Sequence, residues 1–245
     1  MIKRILTFVY GFLAFNVLWL LLSVCVDSPV LISPIEVYQS FDNMSGLWIH
    51  IVASLMRILK GLFLSLVIGV PLGLLMSDFP KINKVFSPLL YFTYPIPKLA
   101  LLPVVMLSLG IGEATKITMI VLILVFQIII ATRDAALHIP ESNFHVLISL
   151  GANKRQMLRW ITLPAILPEI LTSLRIAIGT AVSVLFFTET YGTDRGMGFY
   201  IVDSWMRLSY VQMYTGILFL SLIGFVLFFL IDWLEERVCK WKKSN

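Results

Sequence analysis

Charged side chains are scarce in this chain: they account for 13% of its 245 residues, whereas hydrophobic residues account for 59%. Histidine and cysteine are scarcer still. His50, His138 and His145, with Cys25 and Cys239, have no spacing typical of a zinc site. The chain also has no G-x-x-x-x-G-K-[ST] loop for binding ATP. We therefore expect no catalytic residue, no bound metal and no cofactor in this chain.

The hydrophobic residues are collected into runs of about 20, the length that crosses a bilayer core about 30 Å thick. The mean hydropathy of +0.92 indicates an integral membrane protein. The net charge of +5 needs no nucleic-acid partner, because basic residues flanking spans orient proteins in membranes. The predicted fold is an all-α, polytopic bundle. Its predicted spans lie at about 5–26, 52–77, 88–110, 115–132, 166–189 and 213–233.

An even number of spans places both termini on one side of the membrane. The predicted loops and termini of that side collect basic residues, which predicts that the side is cytoplasmic. Those residues are Lys3, Arg4, Lys81, Lys84, Arg133, Lys154, Arg155, Arg159, Arg237, Lys240, Lys242 and Lys243. We divide the chain into a first helix with an external segment, residues 1–51, and a core, residues 52–240.

The second span carries a row of small residues at four-residue spacing: Gly61, Ser65, Gly69 and Gly73. This spacing places them on one helix face, where another helix can approach closely. The row predicts a packing seam within a bundle.

The longest predicted cytoplasmic loop, residues 133–165, has the signals of two short helices. Gly151 suits the left-handed residue that ends a helix, and Asn153 can cap the next one. A helix pair outside the membrane, with exposed apolar side chains and flanking cations, is suited to binding another protein. The same residues would also suit a helix pair lying on anionic lipid.

Gly151, Ile161, Leu163 and Pro164 form the frame G-x9-I-x-L-P. This frame resembles the second half of the EAA loop, the cytoplasmic signature of permease subunits of ATP-binding-cassette (ABC) importers. The surrounding "SLGANKRQMLRWITLPAILPEILTSLRIAIG" is similar to the branch that handles nitrate, taurine and alkanesulfonates. The resemblance extends through "ASLMRILKGLFLSLVIGVPLGLL", "YPIPKLALLPVVMLSLGIGEATK" and "ETYGTDRGMGFYIVDSW".

The resemblance implies a type I (MetI-like) permease fold with about six spans in the plasma (inner) membrane. It implies a subunit that imports a small polar solute such as a sulfonate, nitrate or a vitamin precursor. The implied partners are a second copy of the chain, two cytoplasmic ATPases and an external solute-binding protein. ATP and Mg²⁺ would then be bound by the ATPases.

The resemblance also assigns ATPase docking to the coupling loop, 133–165. The docking residues carried over are Phe144, His145, Leu147, Ile148, Gly151, Ala152, Lys154 and Arg155. His145, Val146 and Leu147 stand where the EAA frame has Glu-Ala-Ala, so the acidic contact expected with the ATPase is absent.

Ionisable residues within spans are the default candidates for a solute path. Lys98 lies between prolines in the third span, where it would meet an anion or else extend to the membrane interface. Glu189 lies near the external end of the fifth span, where it would serve an outer gate or else remain an interface carboxylate. For Arg175, nearer the cytoplasm, a structural role is favoured. The rival function is an ATP-independent channel or secondary carrier, which would share the spans and basic loops but not the EAA-like frame.

Overall fold

The computed structural model describes residues 2–26, 28–43 and 46–241, with side chains described from Tyr10 onward in these ranges except at Asp42 and Asn43. Lys242 and Lys243, two of the basic residues that predict the cytoplasmic side, lie outside the described residues. The side chains of Lys3 and Arg4 also lie outside them. Regular structure in the described part is helical. The helices are α1 Ile2–Val26, α2 Pro34–Gln39, α3 Leu47–Asp78, α4 Pro80–Thr93, α5 Leu102–Leu109, α6 Glu113–Leu137, α7 Ser142–Ser149, α8 Lys154–Met157, α9 Leu163–Glu189, α10 Met197–Met206 and α11 Tyr210–Val238.

Four helices of the described part are long and apolar enough to cross a membrane: α3, α6, the continuous helix Lys154–Glu189 and α11. In the last of these, a π-helical turn over Leu158–Thr162 joins α8 directly to α9. The bent pair of α4 with Lys98–Leu109 passes the same test as one broken span. The first predicted span lies in α1, whose described apolar part, Tyr10–Val26, is shorter than these spans and does not pass the same test.

The prediction of a continuous third span over 88–110 was wrong. The chain bends by 85° between α4 and the helical turn that begins at Lys98. Pro95 and Pro97 lie in the break, where each lacks the N–H that would continue α4. Hydropathy alone does not register such a bend, because the residues on both sides are apolar.

Other predicted boundaries move as well. The fifth span is continuous from Lys154, so the second short helix predicted in the coupling loop, 133–165, is the start of that span. The helix α3 begins at Leu47, so the first residues of this span belong to the predicted external segment, 1–51. The helix α6 continues to Leu137, so its last turn takes the first residues of the predicted coupling loop.

The core is built where α3 packs along α6 and where α6 packs along α9. The small-residue seam lies on the first of these contacts and confirms the packing prediction. A Cβ atom at Gly61 would lie 2.4 Å from Ile120, and one at Gly73 would lie 2.7 Å from Thr132. The two backbones therefore approach too closely for larger side chains, which fixes α3 against α6.

This packing gives the bundle two ends. We call the end where α3 and α6 begin and α9 finishes the Glu189 end. The opposite end, with α7 and α8, is the Gly151 end.

Candidate functional site: a buried ion cluster and a coupling loop

Glu189 is the last residue of α9, and its side chain is 0% exposed. Its carboxylate accepts hydrogen bonds from Ser54 Oγ at 2.8 Å, from Arg57 Nη1 at 2.6 Å and from the Gly198 N–H at 2.9 Å. A buried carboxylate requires a countercharge and hydrogen bonds, and this one has both. Glu189 is therefore a buried, fully engaged anion.

Glu189 and Ser54 also hold the start of α10. The Met197 N–H donates to Ser54 Oγ at 2.8 Å, next to the Gly198 bond to Glu189. These are the first two N–H groups of α10, which have no partner within a helix, and a carboxylate at this position interacts favourably with the helix dipole. Gly196 allows the approach, because a Cβ there would lie 2.4 Å from the Glu189 carboxyl carbon. The backbone of residues 196–198 therefore packs closely against the Glu189 carboxylate.

Arg57 connects Glu189 to a second carboxylate. Its side chain is 3% exposed, and its Nε lies 3.0 and 2.9 Å from the two carboxylate oxygens of Glu113, which Nη2 also contacts. Nη1 bonds Glu189 and the carbonyl of Arg195 at 2.7 Å. One guanidinium therefore joins α3, α6, α9 and the segment leading to α10.

The two carboxylates on Arg57 differ sharply in environment. Glu113, the first residue of α6, has 59% side-chain exposure, whereas Glu189 has none. Lys116, one turn further along α6, is 3% exposed, and its Nζ has a long contact of 3.4 Å with the Gly112 carbonyl. Lys60, one turn beyond Arg57 on α3, is exposed. The ion cluster, defined here as Arg57, Glu113, Lys116 and Glu189, thus has one open side at Glu113.

Lys98 lies at the break between α4 and α5. Its Nζ donates to the carbonyls of Thr93 and Tyr94 at 3.2 and 3.1 Å. It also lies over the rings of Tyr94 and Phe126, 5.5 and 4.9 Å from their centroids. A cation on the last carbonyls of a helix stabilises that end. Lys98 therefore secures the end of α4, and its role towards a solute stays a prediction.

An apolar cleft of about 720 Å³ lies between α5 and the end of α9. Leu99, next to Lys98, and Tyr191, two residues beyond Glu189, both line it. The structure therefore brings the two predicted path residues to the neighbourhood of one cleft without direct contact between them. The cleft is lined by Leu99, Ala100, Leu102, Pro103, Met106, Leu107, Ile111, Phe187 and Tyr191.

Sequence reasoning missed Arg57, Glu113 and Lys116. A signal was present, since Arg57 interrupts an apolar span and Glu113 begins another. These charges could not be assigned to one site, because the local sequence does not indicate which residues far apart in the chain form pairs. For Arg175, the structure agrees with the structural role, because its guanidinium contacts Asp232 and bonds Glu235 at 2.6 Å, which ties α9 to α11.

At the Gly151 end, α7 ends as the sequence predicts. Gly151 has φ of +76°, its N–H donates to the Ile148 carbonyl at 2.9 Å, and the Ala152 N–H donates to the Leu147 carbonyl at 2.9 Å. This pair of bonds is the Schellman motif. Asn153 then starts α8 through a capping box with Gln156. The turn is therefore determined by its own residues.

The apolar side chains of α7 and its C-cap differ in exposure. Phe144 and Leu147 are half-buried, whereas Val146, Ile148 and Leu150 are exposed, Leu150 by 78%. Of the other predicted docking residues, Ala152 is half-buried and the polar ones are exposed: His145, Lys154 and Arg155. Val146 and Leu150 are one helical turn apart and share a face, whereas Ile148 points to the other side of α7. The sequence singled out Ile148 alone among these exposed apolar residues.

The family model for binding-protein-dependent transport system inner membrane components matches residues 61–240. The chain belongs to this family. The matched region of the permease includes the break at Lys98, Glu113, the coupling loop and Glu189. It confirms the family resemblance, and the permease is a multi-pass protein of the plasma (inner) membrane.

Similar proteins cover nearly the whole permease. The taurine transport system permease protein of Escherichia coli (strain K12) is 30% identical over 98% of the permease and 91% of its own length. A formylaminopyrimidine transport permease protein of Halalkalibacterium halodurans is 32% identical over 96% and 95%. The solved inward-facing MetNI methionine ABC transporter has a chain that aligns with a TM-score of 0.68 and 23% identity, covering 80% of the permease and 99% of that chain. This likeness confirms the predicted all-α, MetI-like fold.

Proposed function

We propose that the permease is the membrane subunit of an ABC importer that moves a small polar solute inward, driven by ATP hydrolysis in partner subunits. The observation that carries this proposal is the coupling loop: a short helix outside the spans, with a fixed turn at Gly151 and exposed apolar side chains. Exposed apolar side chains on a helix suit the groove of a partner protein. The Glu189 end is then external, and both termini are cytoplasmic.

The proposed assembly has two copies of the permease with the pore at their interface, two cytoplasmic ATPases that bind ATP and Mg²⁺, and an external solute-binding protein. The exposed Val146 and Leu150 join the predicted docking residues as the contact with the ATPase. The relatives named for taurine and formylaminopyrimidine support a small polar solute. Lys98 and Glu189 are proposed to flank its path along the apolar cleft.

The test is uptake by the reconstituted complex. The permease is co-expressed with an ATPase and a binding protein encoded beside it, placed in vesicles, and supplied with taurine, methanesulfonate, bicarbonate or formylaminopyrimidine. We expect uptake of at least one solute that requires both ATP inside and binding protein outside. Equal uptake with a hydrolysis-deficient ATPase would favour the ATP-independent channel or carrier instead.

Lys98→Ala should slow uptake of an anionic solute several-fold while ATPase co-purification stays normal, because the cation at the break is lost far from the coupling loop. Lys98→Arg, which keeps a cation and donors, should retain most of the uptake. The comparison is made on initial rates in the same vesicles. If both variants transport at the wild-type rate, Lys98 only secures the end of α4.

A further inference from the structure

We propose that Arg57 is a binding site for the oxyanion group of a monoanionic solute, and that Glu113 occupies this site as a displaceable internal substitute. This inference rests on the proposed import function and adds to it the chemical group recognised at the external end. A guanidinium presents a planar fork of donors that matches two oxygens of a carboxylate, sulfonate or similar anion.

The two carboxylates on Arg57 are held very differently. Glu189 is fully buried and also bonded by Ser54 and the Gly198 N–H, so it cannot leave without unseating α10. Every hydrogen bond that the structure gives the Glu113 carboxylate comes from Arg57. Glu113 is also 59% exposed. Water can therefore solvate Glu113 after release, whereas Glu189 has no such alternative.

The guanidinium fork of Arg57 is held in place on one side and faces Glu113 on the other. Nη1 is committed to Glu189 and the Arg195 carbonyl, which fixes the plane of the guanidinium. Nε and Nη2 face Glu113 alone, and this pair is the side of the fork that binds two oxygens at once. The fork is thus pre-organised, so an incoming anion would lose less free energy in ordering Arg57.

The charge balance of the ion cluster favours a monoanionic ligand. Arg57 and Lys116 are balanced by Glu189 and Glu113 within the ion cluster. Moving Glu113 into water leaves one uncompensated positive charge in a largely buried site, which one negative charge on the solute would balance. The exposed Lys60 adds attraction on the same side, since it lies close enough to Glu113 to interact with its charge. The site therefore suits a monoanion better than a neutral or cationic solute.

The experiment measures binding of methanesulfonate to the full-length permease in nanodiscs, by saturation-transfer NMR of its methyl group at constant ionic strength. Methanesulfonamide has the same shape without the charge. If Glu113 occupies the fork about nine-tenths of the time, Glu113→Gln should tighten methanesulfonate binding about tenfold, because the competitor is removed. Glu113→Ala should do the same. Neither change should alter the signal from methanesulfonamide.

Asp194→Asn is the matched control, because Asp194 is an exposed acid of the same end and its removal changes net charge equally without touching Arg57. It should leave the affinity within about twofold of the wild type. Equal effects of the Glu113 and Asp194 variants would overturn the site, as would equal binding of the two probes or no binding in any variant. This assay needs no ATP, so ATP-independent uptake by the complex would reject the proposed importer while leaving the oxyanion site intact.

Discussion

Replacing Arg57 by Met should be among the most destabilising single changes in the permease. It leaves the Glu189 carboxylate buried with hydrogen bonds from Ser54 and Gly198 but without a cation bonded to it. Removing one partner of a buried ion pair costs about 3–5 kcal/mol. We expect a lower midpoint of thermal unfolding in detergent and faster proteolysis of the segment between α9 and α10, since Arg57 also bonds the Arg195 carbonyl.

The double variant Arg57→Met with Glu189→Gln separates charge from packing. Gln keeps an acceptor for the Gly198 N–H and removes the unpaired charge, so the double variant should recover much of the lost stability. Arg207→Met is the surface control, because Arg207 pairs with Asp203 on α10 while 69% exposed, and such pairs contribute at most about 1 kcal/mol. A double variant no more stable than Arg57→Met would contradict the ion-pair account.

The ion cluster illustrates what the sequence alone cannot predict. Arg57 is separated along the chain by 56 residues from Glu113 and by 132 from Glu189. Each of the three is visible as a charge at or within an apolar run. Their pairing depends on which faces of α3, α6 and α9 meet, and on the Gly61 seam that brings α3 against α6. Hydropathy predicts where the helices lie in the sequence, but not how each helix is rotated about its own axis and hence which faces meet.

The helix α10 was missed for a related reason. It has 10 residues, too few for a span, and the structure gives its N-cap, Gly196, no side-chain hydrogen bond. Its first N–H groups are satisfied by Ser54 and Glu189 from distant helices. When tertiary contacts stabilise the start of a helix, the local sequence needs no capping residue there, so the start cannot be predicted from the sequence.

Gly151 and the spans show the opposite case. The spans follow from apolar composition over long segments, so α6 was predicted at 115–132 and found at Glu113–Leu137. The turn at Gly151 follows from a left-handed glycine and the capping residue Asn153, two positions further on. The apolar segments and the Gly151 turn both depend on residues that are neighbours in the sequence. They can therefore be predicted without knowing how the helices pack.

Gly151→Val should abolish ATP-driven uptake while leaving the bundle in the membrane. The φ of +76° at Gly151 costs ordinary residues roughly 1–2 kcal/mol, and a β-branched residue more. A Cβ atom at this position would meet nothing within 4 Å, so the whole effect comes from the backbone. Valine therefore favours opening of the Schellman turn, and the exposed side chains of Val146, Ile148 and Leu150 are then no longer held in position for the ATPase.

Asparagine provides the matched control, because it tolerates the left-handed conformation far better than valine does. Gly151→Asn should co-purify near-normal amounts of ATPase and transport close to the wild-type rate, whereas Gly151→Val should lose ATPase and uptake in proportion, at equal membrane levels. The two variants differ in backbone preference at one exposed position, so the difference between them measures the contribution of the turn. Full ATPase association and full transport by the valine variant would contradict this account, because the loop would then dock without the left-handed residue that ends α7.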